Sequence, residues 1–208
     1  MASPRILVVI PTYNEKANIS RMLDGLMALE LDLGVMFVDD DSPDGTAEVV
    51  KEQAMRWPER AISVFSRINR PRGLGAAYKD GFQEAIRRGA EIVVQMDCDG
   101  QHPIDVVPKL VQALEEQNAD LVLASRYVED GGTGSWNLFR KLISVGTGFF
   151  SRFMLRLPQK DLTGGFKCWR ASMLDKVGLE LCESQGFVFQ IEMTMRANKV
   201  KAKIIEVP

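Results

Sequence analysis

The chain has 208 residues, 46% apolar and 26% charged, the balance of one ordinary globular domain. With 26 Lys and Arg against 28 Asp and Glu, the net charge is −2. That balance excludes a global basic field for gathering nucleic acid.

Residues 6–10 form an apolar run that ends at Pro11 and predict a first strand. The run is too short for a secretory signal. Residues 16–29 carry Ile19, Met22, Leu23, Leu26 and Met27 at helical spacing. Residues 35–38 predict a second strand. Residues 44–57 predict a helix with Ser42 as N-cap, Pro43 at the first position and Asp44 in the first turn. Strands follow at 62–65, 92–96 and 121–124, separated by helices at 74–88 and 104–117, the latter entered through Pro103. Alternation of apolar strands with helices predicts an α/β fold, a mostly parallel central sheet with helices on both faces.

The pattern is less regular after Arg126. Residues 129–137 read as a Gly-rich loop and 138–157 as a basic-apolar helix. Its longest uncharged stretch, residues 142–151, has ten residues, short of the about 20 that span a bilayer. Arg126, Arg140, Lys141, Arg152 and Arg156 interleave with Trp136, Phe139 and Phe153, a pattern shared by lipid-phosphate sites and by ordinary core-facing helices. Residues 161–166 form a Gly-Gly turn before a strand. Two helices follow, with Phe187 and Ile191 spaced for burial near Glu192, then a last strand at 202–207.

Three scattered cysteines, Cys98, Cys168 and Cys182, form no C-x-x-C pair. They argue against a disulfide framework and for a reducing compartment. His102 is the one histidine, so multi-histidine zinc sites are excluded. Beside Pro103 at a helix start, it reads as structural.

Ligands of open parallel sheets bind at the carboxyl ends of strands, and there the polar residues gather. Asp97-x-Asp99-x-Gln101 follows the fourth strand. Alternate residues of an extended segment point the same way, so Asp97, Asp99 and Gln101 converge as hard oxygen donors for Mg2+ or Mn2+. Helix capping alone does not explain two acids on one face, whose repulsion is about 4 kcal/mol at 4 Å and an effective dielectric of 20. Cys98, on the opposite side, reads as packing.

The Asp39-Asp40-Asp41-Ser42-Pro43-Asp44-Gly45 run fails as an EF-hand, with Pro43 inside it and Lys51 where a bidentate Glu belongs. Asp39 and Asp40 instead read as acceptors for a nucleobase or ribose. Arg67, Arg70 and Arg72 precede Gly73-Leu74-Gly75-Ala76 at a helix start, which reads equally as a phosphate loop and as a solvated basic loop. It is neither a dinucleotide fingerprint, since Tyr78 stands where the third glycine belongs, nor a Walker loop.

In order along nearly the whole chain stand Ile10-Pro11-Thr12-Tyr13-Asn14-Glu15, Val38-Asp39-Asp40-Asp41-Ser42-Pro43-Asp44-Gly45-Thr46, Gly73-Leu74-Gly75-Ala76-Ala77, Met96-Asp97-Cys98-Asp99-Gly100-Gln101-His102-Pro103, Ser125-Arg126-Tyr127, Arg140-Lys141-Leu142-Ile143-Ser144 and Asp161-Leu162-Thr163-Gly164-Gly165-Phe166-Lys167. With them the chain resembles the family 2 glycosyltransferases, and within these the polyprenol-phosphate (dolichol-phosphate) mannosyltransferases. The resemblance implies a type-A nucleotide-sugar fold, an inverting metal-dependent transfer from GDP-mannose to a polyprenyl monophosphate, and a peripheral place at the cytoplasmic face of a membrane.

By the same resemblance, Pro11, Tyr13, Glu15, Val38, Asp40, Asp97, Cys98 and Asp99 hold the nucleotide, with Cys98 where the family has Ala. Asp97, Asp99 and Gln101 hold the metal, and Arg126 and Arg140 meet phosphates. Asp99, Arg126 and Arg140 are the expected catalytic groups. Residues 1–126 would form the nucleotide-sugar half and 127–208 the acceptor half of one domain. The family continues past Pro208 with a strand and an Arg-x-x-Gly-x-Ser-Lys-like segment, so the chain is expected to be C-terminally truncated, with a membrane-anchoring segment or subunit elsewhere. A family 2 enzyme using UDP-glucose or UDP-N-acetylglucosamine, and a non-catalytic nucleotide-sugar-binding module, remain open as alternatives.

Overall fold

A computed structural model describes residues 4–128 and 157–208. Its elements are β1 (Ile6–Thr12), α1 (Ile19–Met27), β2 (Leu33–Asp39), α2 (Thr46–Ala54), β3 (Ile62–Ser66), α3 (Leu74–Arg87), β4 (Ile92–Gln95), α4 (Val107–Glu116), β5 (Leu121–Ala124), β6 (Lys167–Arg170), α5 (Ala171–Lys176), α6 (Gly186–Lys199) and β7 (Ile204–Val207). The predicted loop at 129–137 and nearly all of the predicted helix at 138–157 lie outside the described residues.

The strands form one sheet in the order β3-β2-β1-β4-β6-β5-β7. β1 pairs in parallel with β2 and β4, β2 with β3, and β5 with β7. β6 runs antiparallel between β4 and β5, so strands from both sides of Arg126 share one sheet. Chain order reverses between β1 and β4, and such a switch point opens a crevice at the strand ends.

The apolar runs of β1, β2 and β4 are explained by a core on each face. Ile6, Val8 and Ile10 of β1 pack with α1 and α4 through Leu23, Leu26, Leu110 and Leu114. Leu7 and Val9, pointing the other way, pack with α3, α5 and α6 through Tyr78, Phe82, Leu174, Phe189 and Met193.

Two local readings need correction. α2 starts at Thr46, not Asp44, because Gly45 takes a left-handed φ of 86° just before it. Asp44 supplies the cap from outside, accepting from Thr46 N at 3.0 Å and Thr46 Oγ1 at 2.6 Å, while Ser42 is drawn to Asp39. Among the described side chains of α6, Phe189, Gln190, Met193, Thr194 and Ala197 are fully covered and Ile191 is half-buried, while the side chain of Phe187 lies outside the described residues.

Candidate functional site

β4 ends at Gln95, and the chain continues through Asp97, Cys98 and Asp99 at the switch point. The three alternate as the extended reading expects. Asp97 is half-buried, Cys98 is core and Asp99 is exposed. Burial pushes the Cys98 thiol up to about 12, so it is a packing group.

Asp97 is held from two sides. Tyr78, fully buried on α3 and stacked on Phe82 and Phe189 with centroids 5.5 and 5.9 Å away, donates its O–H to Asp97 Oδ1 at 2.6 Å. Burial, reinforced by the Asp97 charge, holds the Tyr78 phenol well above its ordinary pKa, so it stays a donor. His102, stacked on Phe166 at 4.9 Å, accepts the Asp97 N–H on Nδ1 at 3.0 Å. Burial lowers the His102 pKa. The ring is therefore neutral, with its proton on Nε2, 3.8 Å from Asp97 Oδ2.

Asp99 accepts from Gln101 N at 2.9 Å, a turn that Gly100 permits with φ 79°. Gln101 is exposed beside it. No group of three His, Cys, Asp or Glu side chains converges as a metal cage among the described residues. A cation here would take its protein ligands from the two carboxylates and the Gln101 amide and fill its sphere with water or phosphate oxygens, the habit of Mg2+ and similar ions.

The ends of β1 and β2 form the other wall. Asp39 accepts from Thr12 Oγ1 at 3.1 Å and from Ser42 N and Oγ at 3.0 and 2.6 Å. Asp40 pairs with buried Arg67 and accepts from Gly73 N at 2.8 Å. Both acids are thus engaged in binding the fold together, and each carboxylate keeps lone pairs for a further donor. Arg67 and Arg70 both pair with Asp80, and Asp40 covers the N–H of Gly73, the residue before α3.

Arg72 instead reaches Tyr13. Its guanidinium lies 4.6 Å from the ring centroid and bonds the hydroxyl at 2.9 Å, fixing an exposed aromatic face at the crevice. Glu15 accepts from Asn18 Nδ2 at 2.5 Å. Pro11 and Val38 are buried and paired across β1 and β2. Cys98 and Asp40 are buried as well.

Arg126 follows β5 and is locked to fully buried Asp161, Nε to Oδ2 at 2.7 Å and Nη2 to Oδ1 at 2.8 Å, with Thr163 Oγ1 also at 2.8 Å. Burial would raise the Asp161 pKa, but the guanidinium bonds outweigh it and hold it below the ordinary value. Arg140 lies outside the described residues.

Sequence reasoning missed the residues beneath the site. Lys167 in β6 is fully buried, its ammonium bonding Gln190 O at 2.8 Å and Thr194 Oγ1 at 3.1 Å, and burial pushes its pKa down to about 7. Gln95 bonds Gln190 at 2.6 Å. A Gln closing an Ile-Val-Val strand and a Lys inside another were visible signals, since buried polar groups require partners.

The profile of Glycosyl transferase family 2 matches residues 7–178. The polyprenol monophosphomannose synthase of Mycolicibacterium smegmatis is 37% identical over 98% of this chain and 76% of its own length. The undecaprenyl-phosphate mannosyltransferase of Micrococcus luteus is 38% identical over 98% of this chain and 82% of its own. A mannosyltransferase of Pyrobaculum calidifontis, solved with GDP-Man and Mn2+, superposes with a TM-score of 0.64 at 22% identity over 99% of this chain. The chain spans 55% of that protein's length. Glucosyl-3-phosphoglycerate synthase of Mycobacterium tuberculosis, solved with Mn2+, UDP-Glc and phosphoglyceric acid, gives 0.71 at 20% over 98% of this chain and 69% of its own. The two solved structures share the type-A nucleotide-sugar fold. With more than half of its length matched by the profile, the chain belongs to glycosyl transferase family 2.

Proposed function

We propose that the chain transfers mannose from GDP-mannose to a polyprenyl monophosphate with Mg2+ or Mn2+, inverting the anomeric configuration at a membrane surface. The observation that carries the chemistry is the Asp97–Asp99 pair at the switch point, with Asp97 locked by Tyr78 and His102 and Asp99 exposed. The choice of sugar and acceptor is supported by the relatives named for polyprenyl-phosphate mannose transfer at 37% and 38% identity, and the choice of donor by the mannosyltransferase solved with GDP-Man.

The donor set is all oxygen and suits a hard divalent cation. Asp97, Asp99 and Gln101 would hold it. When bound, it neutralises charge growing on the leaving diphosphate. Tyr13, backed by Arg72, offers the base an aromatic face, and Glu15 stands beside it. Pro11, Val38, Asp40 and Cys98 would also hold the nucleotide. Arg126, already oriented by Asp161, and Arg140 would align the phosphates of donor and acceptor. An acceptor phosphate is anionic near neutral pH, so its oxygen attacks without a strong general base. This matches a site whose one histidine is neutral and spends Nδ1 on the Asp97 backbone.

Radiolabelled GDP-mannose, a short polyprenyl phosphate and Mn2+ test the proposal. Labelled lipid with release of GDP is the expected result. Binding without transfer, or transfer only from UDP-glucose or UDP-N-acetylglucosamine, would overturn it.

A further inference from the structure

Asp161 holds one arginine at both ends. Its Oδ2 accepts the Arg126 backbone N–H at 3.2 Å and Nε at 2.7 Å, and its Oδ1 accepts Nη2 at 2.8 Å. With backbone and guanidinium tied to one carboxylate, the direction of Arg126 follows from where Asp161 sits. Asp161 is fully buried, while the Arg126 side chain stays 24% exposed.

What fixes Asp161 lies on β7. Glu206 Oε2 accepts the Lys160 N–H at 2.8 Å, and Oε1 accepts the Asp161 N–H at 2.9 Å. Two successive backbone donors on the two oxygens of one carboxylate fix both the place and the tilt of that peptide. β7 pairs with β5, Glu206 opposite Leu123 and Val207 opposite Ala124, and Val207 O accepts the Ser125 N–H at 2.8 Å. Arg126 is the next residue. Glu206 and Arg126 are thus carried by neighbouring strands, and the 160–161 backbone bridges them.

The bridge has another anchor on α6. Gln159 and Asn198 exchange amide bonds at 3.0 and 3.4 Å. That pair holds residue 159 and leaves the next two N–H groups to Glu206, so the segment stays attached when Glu206 is changed.

We infer that Glu206 is a positioning residue for phosphate alignment: by clamping the Lys160–Asp161 backbone it holds Asp161, and through Asp161 it sets the direction of the Arg126 guanidinium. The inference rests on the proposed role of Arg126 and deepens it.

Glu206→Gln keeps the size but offers one acceptor to two N–H groups and turns its NH2 toward the other. Nitrogen-15 NMR of the full chain reads the arginine directly. The Arg126 Nε–H resonance, assigned by its loss in Arg126→Met, should exchange with water about tenfold faster in Glu206→Gln. The Arg67 Nε–H, bonded to Asp80 on the other wall, should not change. In parallel, kcat/KM for a short polyprenyl phosphate should fall about tenfold, with GDP affinity in Mn2+ unchanged. In an Arg126→Met background the same substitution should cost about twofold at most, since the group it directs is gone.

Unchanged exchange at Arg126, equal acceleration at Arg67, faster exchange with kcat/KM unaltered, or losses that multiply in the double variant would each overturn the inference. If Glu206→Gln does not fold, Glu206→Asp, with both oxygens one carbon shorter, carries the same readouts. If the parent transfers nothing to the lipid, the proposed function fails, and the exchange comparison alone decides Glu206.

Discussion

Tyr78 holds Asp97 from inside the core, its phenol 2.6 Å from Oδ1 and its ring between Phe82 and Phe189. One helix residue on the far wall thus sets the orientation of a carboxylate proposed to meet the cation. Tyr78→Phe keeps both ring contacts and removes the donor. Outer partners of metal ligands are worth about 10–100-fold in affinity or activity. Mn2+ affinity in the presence of GDP-mannose should fall about tenfold, with a melting temperature within a few degrees of the parent. Calorimetry and thermal scanning read the two separately.

Asp99 is exposed and spends one oxygen on Gln101 N. Asp99→Ala should leave the fold intact and lower turnover by at least ~10²-fold, as loss of one preorganised electrostatic group does. Excess EDTA should have an effect of the same order on the parent chain. Steady-state rates of GDP release check both, and near-normal rates in EDTA would remove the metal from the mechanism.

Arg67 is 3% exposed and joins Asp40 to Asp80. Arg67→Met would strand Asp40 in the core. Removing one partner of a buried pair costs about 3–5 kcal/mol, measurable by urea denaturation. If Arg67 were a phosphate ligand instead, stability would hold and nucleotide affinity would fall.

The parallel part of the sheet was legible because β1, β2 and β4 are apolar runs with a polar cluster at the carboxyl end, as in Val35 to Asp39 and Ile92 to Asp97, whereas β6, with Lys167 and Arg170 at its ends, and β7, with Glu206 inside, carry no such run. The same pattern placed the Asp97–Asp99 pair. Illegible were partners distant in sequence. Nothing local to Asp40 shows that Arg67 and Gly73 will take its carboxylate, 27 and 33 residues on. Nor does Arg126 show that Asp161, 35 residues away, will claim its guanidinium. In the sequence Tyr78 shows only that a glycine motif fails there, because its meaning depends on α3 packing beside the β4 terminus.

Asp161 is fully buried and its carboxyl lies below the ordinary 3.8, because the Arg126 bonds outweigh burial. A depressed folded pKa gives stability that is present above about pH 4 and lost as pH falls through the folded value. Asp161→Asn should therefore cost about 2–3 kcal/mol at pH 7, somewhat under the full buried-pair figure because Arg126 is 24% exposed. The gap between parent and variant should narrow in acid. Melting temperatures of both from pH 7 to pH 3 test this, and a constant gap would contradict it.

The central claim is a cation held between Asp97, Asp99 and a departing diphosphate. A crystal soaked in Mn2+ and GDP-mannose, recorded for manganese anomalous scattering, tests it most directly. The expected result is one anomalous peak bonded to both carboxylates and to the diphosphate oxygens. Bound nucleotide sugar with Asp97 and Asp99 turned apart, and no peak between them and the phosphates, would contradict it.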